Sequence, residues 1–310
     1  MQTVLTAKVT NYIDIFVNAY KGYATYLWKT IQDPLPDGSL NFFYFLIAIS
    51  LVVWGLEMAF PWRTKQKIFR EDFWLDAFYM FFNFFIFNLL LYIALSSVTV
   101  KLLSDLLAPL GYEGGHLFDL SILQWGWQLL IFFIISDFVQ WNVHILLHRI
   151  PFLWKVHKVH HSVKVMGFAA HLRYHFGETL VYNIFKYISL SMLFGFDLQL
   201  AFIVHAIAIT IGHLNHANVG WDYGWLKYIL NNPKMHIWHH SKELPKDHSY
   251  GMNYAISLSL WDYIFKTKYI PYEGRDIELG FEDDENYAPG FFKQLIAPFR
   301  KEKKSKNIKS

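Results

Sequence analysis

Residues 123–161 read LQWGWQLLIFFIISDFVQWNVHILLHRIPFLWKVHKVHH. The first half, to Ile135, carries no charge, and the run from Leu123 to Leu147 is long enough for a membrane helix, which needs about 20 mostly apolar residues. The second half turns polar and ends in His144-Ile-Leu-Leu-His148. Nine residues beyond His148 comes His157-Lys-Val-His160-His161. On a helix, positions i, i+3 and i+4 lie on one face. A membrane helix that ends in such clusters predicts a buried polar centre at the membrane surface.

Outward from this stretch the hydrophobic pattern repeats. Asn41 to Phe60 and Ala77 to Val100 are two further spans, free of charge except for Glu57. Thr179 to Ile211 is long enough for one tilted span, but Gly195 and Asp197 interrupt it, which predicts a hairpin of two short helices. The chain is 54% hydrophobic and 17% charged, whereas an ordinary soluble domain carries about a quarter charged residues. In lipid every backbone polar group must be satisfied internally, which leaves helices. The expected fold is all-α: a polytopic membrane protein with four or five membrane helices and a histidine-rich cytoplasmic helical cap from about Ala217. The expected segments are 1–40 (N-terminal), 41–122 (two membrane helices and an outer loop), 123–270 (catalytic) and 271–310 (C-terminal, with a basic tail).

Lysine and arginine in short loops set orientation. Arg63, Lys65, Lys67 and Arg70 follow the first span, and Arg149, Lys155, Lys158, Lys164 and Arg173 follow the third. The tail holds Arg300, Lys301, Lys303, Lys304, Lys306 and Lys309. These are read as cytoplasmic, leaving the N-terminal segment and the Lys101–Ser121 loop outside. The N-terminal segment lacks the pattern of a cleaved secretory signal, so insertion is expected to rely on the internal spans. In a bacterium the host would be the plasma or inner membrane, and in a eukaryote the endoplasmic reticulum. A net charge of +3 without a basic stripe gives no reason to expect nucleic acid.

The chain has no cysteine, so thiolate metal sites and iron–sulfur clusters are excluded. Its fifteen histidines are instead grouped. Besides the two clusters above, His213-Leu-Asn-His216 closes the hairpin and His236-Ile-Trp-His239-His240 opens the cap. Neutral imidazole suits iron, zinc, copper or nickel. Converging, these ten histidines are enough for two ions with about five nitrogens each. His205 would lie about 16 Å from His216 along a continuous helix, too far to share an ion, and is read as a pocket or packing residue. His116 and His248 are read as loop residues.

These residues resemble the membrane fatty acid hydroxylase / sterol desaturase superfamily over roughly Asp137 to Thr267, nearest the branch with bacterial sterol-desaturase-like proteins and alkylglycerol monooxygenase. The resemblance rests on Asp137-Phe, His157-Lys-Val-His160-His161-Ser162, Arg173-Tyr-His175-Phe-Gly-Glu178, His216-Ala-Asn218-Val, Pro233-Lys-Met-His236-Ile-Trp-His239-His240-Ser241, Asn253-Tyr254 and Trp261-Asp262-Tyr-Ile-Phe265. It departs at Ala255 and Lys266, outside the ligand positions. What it implies is a non-haem di-iron centre, oxygen as oxidant, a lipid entering from the bilayer, and hydroxylation or desaturation of a C–H bond. The spacing alone would also suit zinc, which could stand in for iron in a purified or crystallised form. Either His175 or His213 would complete the ligand set; His171, four residues before His175, has no place in the pattern. Asp137, Glu178, Asn218 and Asp262 are candidates for orienting the imidazoles or serving the reaction, against helix capping or surface ion pairing as the ordinary alternative. No flavin-, dinucleotide- or b5-type segment is seen, so an external electron donor (a separate protein, a small reductant or a pterin) is expected.

Two rival functions fare less well. A metallohydrolase of the HExxH type needs a glutamate where Ile145 stands. A metal transporter places its ligands at mid-membrane, often on broken helices, whereas these clusters fall at span ends and in the cap.

Overall fold

The computed structural model describes residues 2–36, 41–88, 90, 93–110, 118–188, 194 and 198–300. Among them the architecture is helical, with no strand and only two isolated β-bridges, Pro61 with Val219 and Ser241 with Leu279. Helix α1 (Gln2–Gln32) is followed by α2 (Phe42–Ala59). Asn41 makes the corner: its Oδ1 accepts from Tyr44 N at 3.1 Å, while its Nδ2 donates to Thr30 O at 2.8 Å and Asp33 O at 2.6 Å. One side chain thus caps the start of α2 and takes up carbonyls left at the end of α1.

Helix α3 (Phe73–Phe81) passes straight into a π-helical segment, Phe82–Ile86, and α4 (Ile93–Leu107) packs along α1, where the Tyr12 hydroxyl meets Asp105 at 2.5 Å. A π-helical segment thus lies inside the apolar run Ala77–Val100. Asn83 in the π-helical segment turns inward, its Nδ2 donating to Tyr174 O at 2.8 Å and Leu172 O at 3.3 Å.

Helix α5 (Trp125–Arg149) carries the HxxxH pair. Pro151, which lacks an N–H and is therefore tolerated at a helix start, ends it and opens α6 (Pro151–His161), which folds back against α5 with the first HxxHH. A 3-10 turn (Phe168–Leu172), α7 (Phe176–Tyr182) and a second π-helical segment (Asn183–Ile188) lead to α8 (Leu198–His216). The expected hairpin break at Gly195 and Asp197 lies outside the described residues, as do His116 and the basic tail from Lys301. The cap holds α9 (Pro233–His239), capped by Asn232, then α10 (Leu260–Ile264) and α11 (Phe291–Ile296).

Among the described residues two helices are long and apolar enough to cross a membrane, α2 and α5; Phe73–Ile86 and Leu200–His216 are apolar but shorter. A core helix of a soluble protein would be wrapped, yet α2 leaves Leu51 and Val52 57% and 58% exposed, and α5 does the same with Trp127 and Leu130. Apolar surface of this kind, continuous along two helices, suits lipid rather than water.

The two halves of the chain are tied by buried polar links. Glu57 at the end of α2 accepts from Phe168 N and Asn218 N, both at 2.8 Å. Arg173, 1% exposed, reaches Asp72 at 2.8 Å, Asp76 at 3.1 Å and Ser162 Oγ at 3.0 Å. Arg70 adds an ion pair with Asp76 at 2.6 Å.

Candidate metal centre

Nine buried histidines meet in two adjacent groups. The first is His144, His148, His157, His161 and His239; the second is His160, His216, His236 and His240. Within each group one ring nitrogen per residue lies within 4.8 Å of all the others. The HxxHH motifs are shared out reciprocally. On α6, His157 and His161 serve the first group and His160 the second. At α9, His236 and His240 serve the second group and His239 the first. Each motif thus sends its i, i+4 pair one way and its middle histidine the other, so the helix face expected from the spacing straddles both groups.

The backbone fixes the rings. His144 Nδ1 lies 2.7 Å from Tyr254 O, His148 Nδ1 3.0 Å from Tyr250 O, and His239 Nδ1 2.9 Å from Met252 O. In the second group, His160 Nδ1 lies 3.2 Å from Arg173 O and His216 Nδ1 2.8 Å from Gly212 O. A carbonyl only accepts, so in each case Nδ1 donates and Nε2 keeps its lone pair, as metal-binding imidazoles require. Three alternate carbonyls of one strip, residues 250, 252 and 254, therefore hold three ligands. Gly251 (φ +116°) and Asn253 (φ +52°) give the strip its shape. Asp262 anchors it, accepting from Tyr254 N at 3.0 Å, Ala255 N at 2.8 Å and Trp141 Nε1 at 3.0 Å. Glu178 Oε2 takes the corresponding place beside His157 Nδ1, at 2.9 Å.

The donor set fits two cations. His144 Nε2 and His157 Nε2 are 3.1 Å apart, His216 Nε2 and His236 Nε2 3.1 Å, and His236 Nε2 and His240 Nε2 3.3 Å. Two ligands each about 2.1 Å from an ion, at 90–109° to one another, are about 3.0–3.4 Å apart. His148 Nε2, His161 Nε2 and His239 Nε2 are buried without a hydrogen-bond partner. Buried polar atoms of this kind demand an explanation, and a shared cation is one. Burial pushes the imidazoles of His157, His161, His236, His239 and His240 well below the usual histidine range and that of His160 down to about 3, which leaves them neutral and able to coordinate.

Two cavities flank the centre. A largely apolar one of about 500 Å³ reaches His144, His157, His160, His216 and His236 and runs out past Phe84, Phe42 and Tyr26. A more polar one of about 900 Å³ reaches His148, His161 and His239 and is rimmed by Arg149, Lys158 and Lys242. The histidines form the partition between them.

Of the eleven histidines expected as ligands, the structure brings these nine together and engages His175 and His213 elsewhere. His175 Nε2 donates to Leu295 O at 2.8 Å and its Nδ1 accepts from Gly177 N at 3.0 Å, so both nitrogens are taken. His213 lies 3.2 Å from Ser50 Oγ and 2.9 Å from His171 Nδ1. His171 itself packs on His216. His205 lines the apolar cavity and stacks on Phe42, while His248 lies against Tyr269. Asp137 accepts from Ser257 N and Leu258 N, both at 3.1 Å, and from Trp261 Nε1 at 2.9 Å; Asn218 bonds the backbone of Arg63. Both fasten loops around the centre. Sequence reasoning passed over the carbonyl strip, although Gly251 two residues before Asn253 was a signal. It also passed over Lys186, a charge inside an apolar run and for that reason a functional candidate.

Residues 129–267 match the family model described as fatty acid hydroxylase. Among curated proteins, ornithine lipid hydroxylase OlsE of Rhizobium tropici is 33% identical over 178 residues, covering 57% of this chain and 52% of that protein. Alkylglycerol monooxygenase of Xenopus tropicalis is 28% identical over 147 residues, 46% of this chain and 30% of that protein. A cholesterol 25-hydroxylase-like protein of Danio rerio is 26% identical over 177 residues, 49% of this chain and 66% of that protein. The chain thus spans about half the length of the first relative and less than a third of the second. No solved structure matches. Residues 129–267, which carry the clustered histidines, are thus similar to fatty acid hydroxylase domains, the superfamily that the motifs resemble.

Proposed function

We propose that this chain is an oxygen-dependent lipid hydroxylase or desaturase, working through a histidine-held di-iron centre at the cytoplasmic face of the membrane. The observation that carries the reading is the partition of nine buried imidazoles, in two groups with lone pairs facing one another, at the inner end of an apolar cavity. Two iron ions bound there supply activation of oxygen and oxidation of an unactivated C–H bond. His144, His148, His157, His161 and His239 would hold one ion and His160, His216, His236 and His240 the other; zinc suits the same donors.

The chain's own residues do the rest. Carbonyls of Tyr250, Met252, Tyr254, Arg173 and Gly212 hold the rings in the coordinating tautomer. Glu178 does so for His157, its carboxyl pushed well above the usual carboxylate range by burial. Phe42, Phe84, Phe202 and Ile209 line the apolar cavity, seat a lipid chain and exclude water. Asp137, Asn218 and Asp262 act by fixing the loops around the centre. The lipid classes named for the relatives, ornithine lipid and alkylglycerol among them, are starting candidates for the substrate. The polar cavity behind His148, His161 and His239, rimmed by Arg149, Lys158 and Lys242, is where a separate electron donor would dock. Besides α2 and α5, the shorter apolar helices enter the bilayer, which makes the protein multi-pass with its basic loops in the cytoplasm.

The test uses purified protein and the double variant His239→Ala/His240→Ala, which removes one ligand from each group. Expected are about two irons per chain and reductant-dependent oxygen uptake in the wild type, both lost in the variant. Wild-type protein that stays without iron after reconstitution, or moves zinc across vesicles without consuming oxygen, would sink the oxygenase in favour of metal binding or transport.

A further inference from the structure

The apolar cavity is not uniformly apolar, and its polar atoms are grouped where the helices depart from α geometry. π-Helical turns are rare and recur at functional sites. Here two π-helical segments face the same cavity. Phe82–Ile86 brings in Asn83, with Asn88 just beyond it, and Asn183–Ile188 brings in Lys186.

Lys186, 4% exposed, donates to Gln140 Oε1 at 2.6 Å. Gln140 stands one turn before His144 on α5, a rise of about 6 Å, so the ammonium group sits close to the histidine partition. Unmatched acceptors line the same cavity. The Asn83 and Asn88 amide nitrogens are committed to backbone carbonyls, which turns each Oδ1 the other way. Asn83 Oδ1, Asn88 Oδ1 and Thr179 Oγ1 are buried without a hydrogen-bond partner, and all three residues line the cavity. A chamber built only for hydrocarbon has no use for three unmatched polar atoms, each of which costs free energy when left unmade, beside a buried ammonium that pairs with Gln140.

We propose that these residues seat the polar head of the lipid substrate. An oxyanion or carbonyl oxygen of the head meets Lys186 and Gln140, and its N–H or O–H groups meet Asn83 and Asn88. The chemical class this selects is a lipid with an amide- or amino-acid-bearing head. Because Gln140 is only one helical turn from His144, the C–H bond oxidised lies within a few bonds of that head, not far along the chain. The assignment of the head as substrate rests on the lipid-oxidising reading above; the binding itself does not.

The experiment is binding to zinc-loaded protein in detergent, read by native mass spectrometry, so turnover plays no part. The probes share one saturated chain and differ in the head: an N-acyl amino acid, the fatty acid methyl ester and the alkane. The wild type is expected to hold the N-acyl amino acid about tenfold or more tighter than the ester. Lys186→Met and, separately, Gln140→Leu are expected to reduce that preference with zinc content and melting temperature unchanged. Equal affinity of the wild type for all three probes overturns the proposal even if both variants misfold. So does a preference that survives Lys186→Met in folded protein. A protein that shows the preference but never consumes oxygen would keep the seat and lose the oxygenase. One that oxidises lipids without regard to the head would do the reverse.

Discussion

Glu178 touches the centre through a single hydrogen bond, to His157 Nδ1 at 2.9 Å, and that bond sets both the ring's tautomer and its basicity. Glu178→Ala removes the partner of His157 Nδ1, and is expected to weaken metal binding about 10–100-fold, read by chelator competition. An unchanged affinity would refute the role given to Glu178. Gly251 is a sharper case. Its φ of +116° suits glycine, and a Cβ there would stand 3.0 Å from His148 Nδ1 and 3.3 Å from the Tyr254 hydroxyl. Gly251→Ala should cost about 1–3 kcal/mol and displace His148, visible as a lower melting temperature and a loss of bound metal. At this scale the sequence was legible where chemistry repeats, as in the HxxHH motifs, and illegible where the backbone does the holding. Nothing in the identity of Tyr250 or Met252 announces that their carbonyls orient imidazoles.

The helices explain which other parts of the site could be read beforehand. Hydrophobic runs at 41–60 and 123–147 emerge as α2 and α5 because an uninterrupted apolar stretch has one solution in lipid. The run at 77–100 hid a π-helical turn, since the inward pull on Asn83 comes from carbonyls of Leu172 and Tyr174, about 90 residues away in sequence. The division of each HxxHH between two groups likewise depends on how α6 and α9 lie against α5 and α8. A helix turns about 100° per residue. One alanine inserted between Trp154 and Lys155 should therefore swing His157, His160 and His161 off both groups together. Metal content is expected to fall to background while the far-ultraviolet helical signal is nearly unchanged. Retention of even one ion would show that the two groups tolerate separate losses.

Over the molecule as a whole, many imidazoles buried in neutral form make folding sensitive to acid. An unfolded histidine titrates near its ordinary value, whereas His160 is held at about 3 and His157, His161, His236, His239 and His240 well below the usual range. Between those values the unfolded chain binds more protons, so stability rises with pH and is lost as pH falls below about 6.5. Each such histidine contributes about 1.4 kcal/mol per pH unit over that window. Metal-free protein should melt markedly lower at about pH 5.5 than at about pH 7.5. Loaded protein should melt higher than metal-free protein at both values. Melting curves that coincide at the two pH values without metal would contradict burial of neutral rings.

Arg173 gives the reach of the recognisable region a different meaning. Its carbonyl steadies His160, while its guanidinium is clamped by Asp72 and Asp76, well before residue 129 where likeness to the family begins. Glu57 makes the same connection from α2. The stretch that evolution keeps legible is thus not an autonomous module. Excised at residue 129, it is expected to accumulate as insoluble material, and co-expressing residues 1–128 as a separate polypeptide should restore it, as two pieces of one jigsaw.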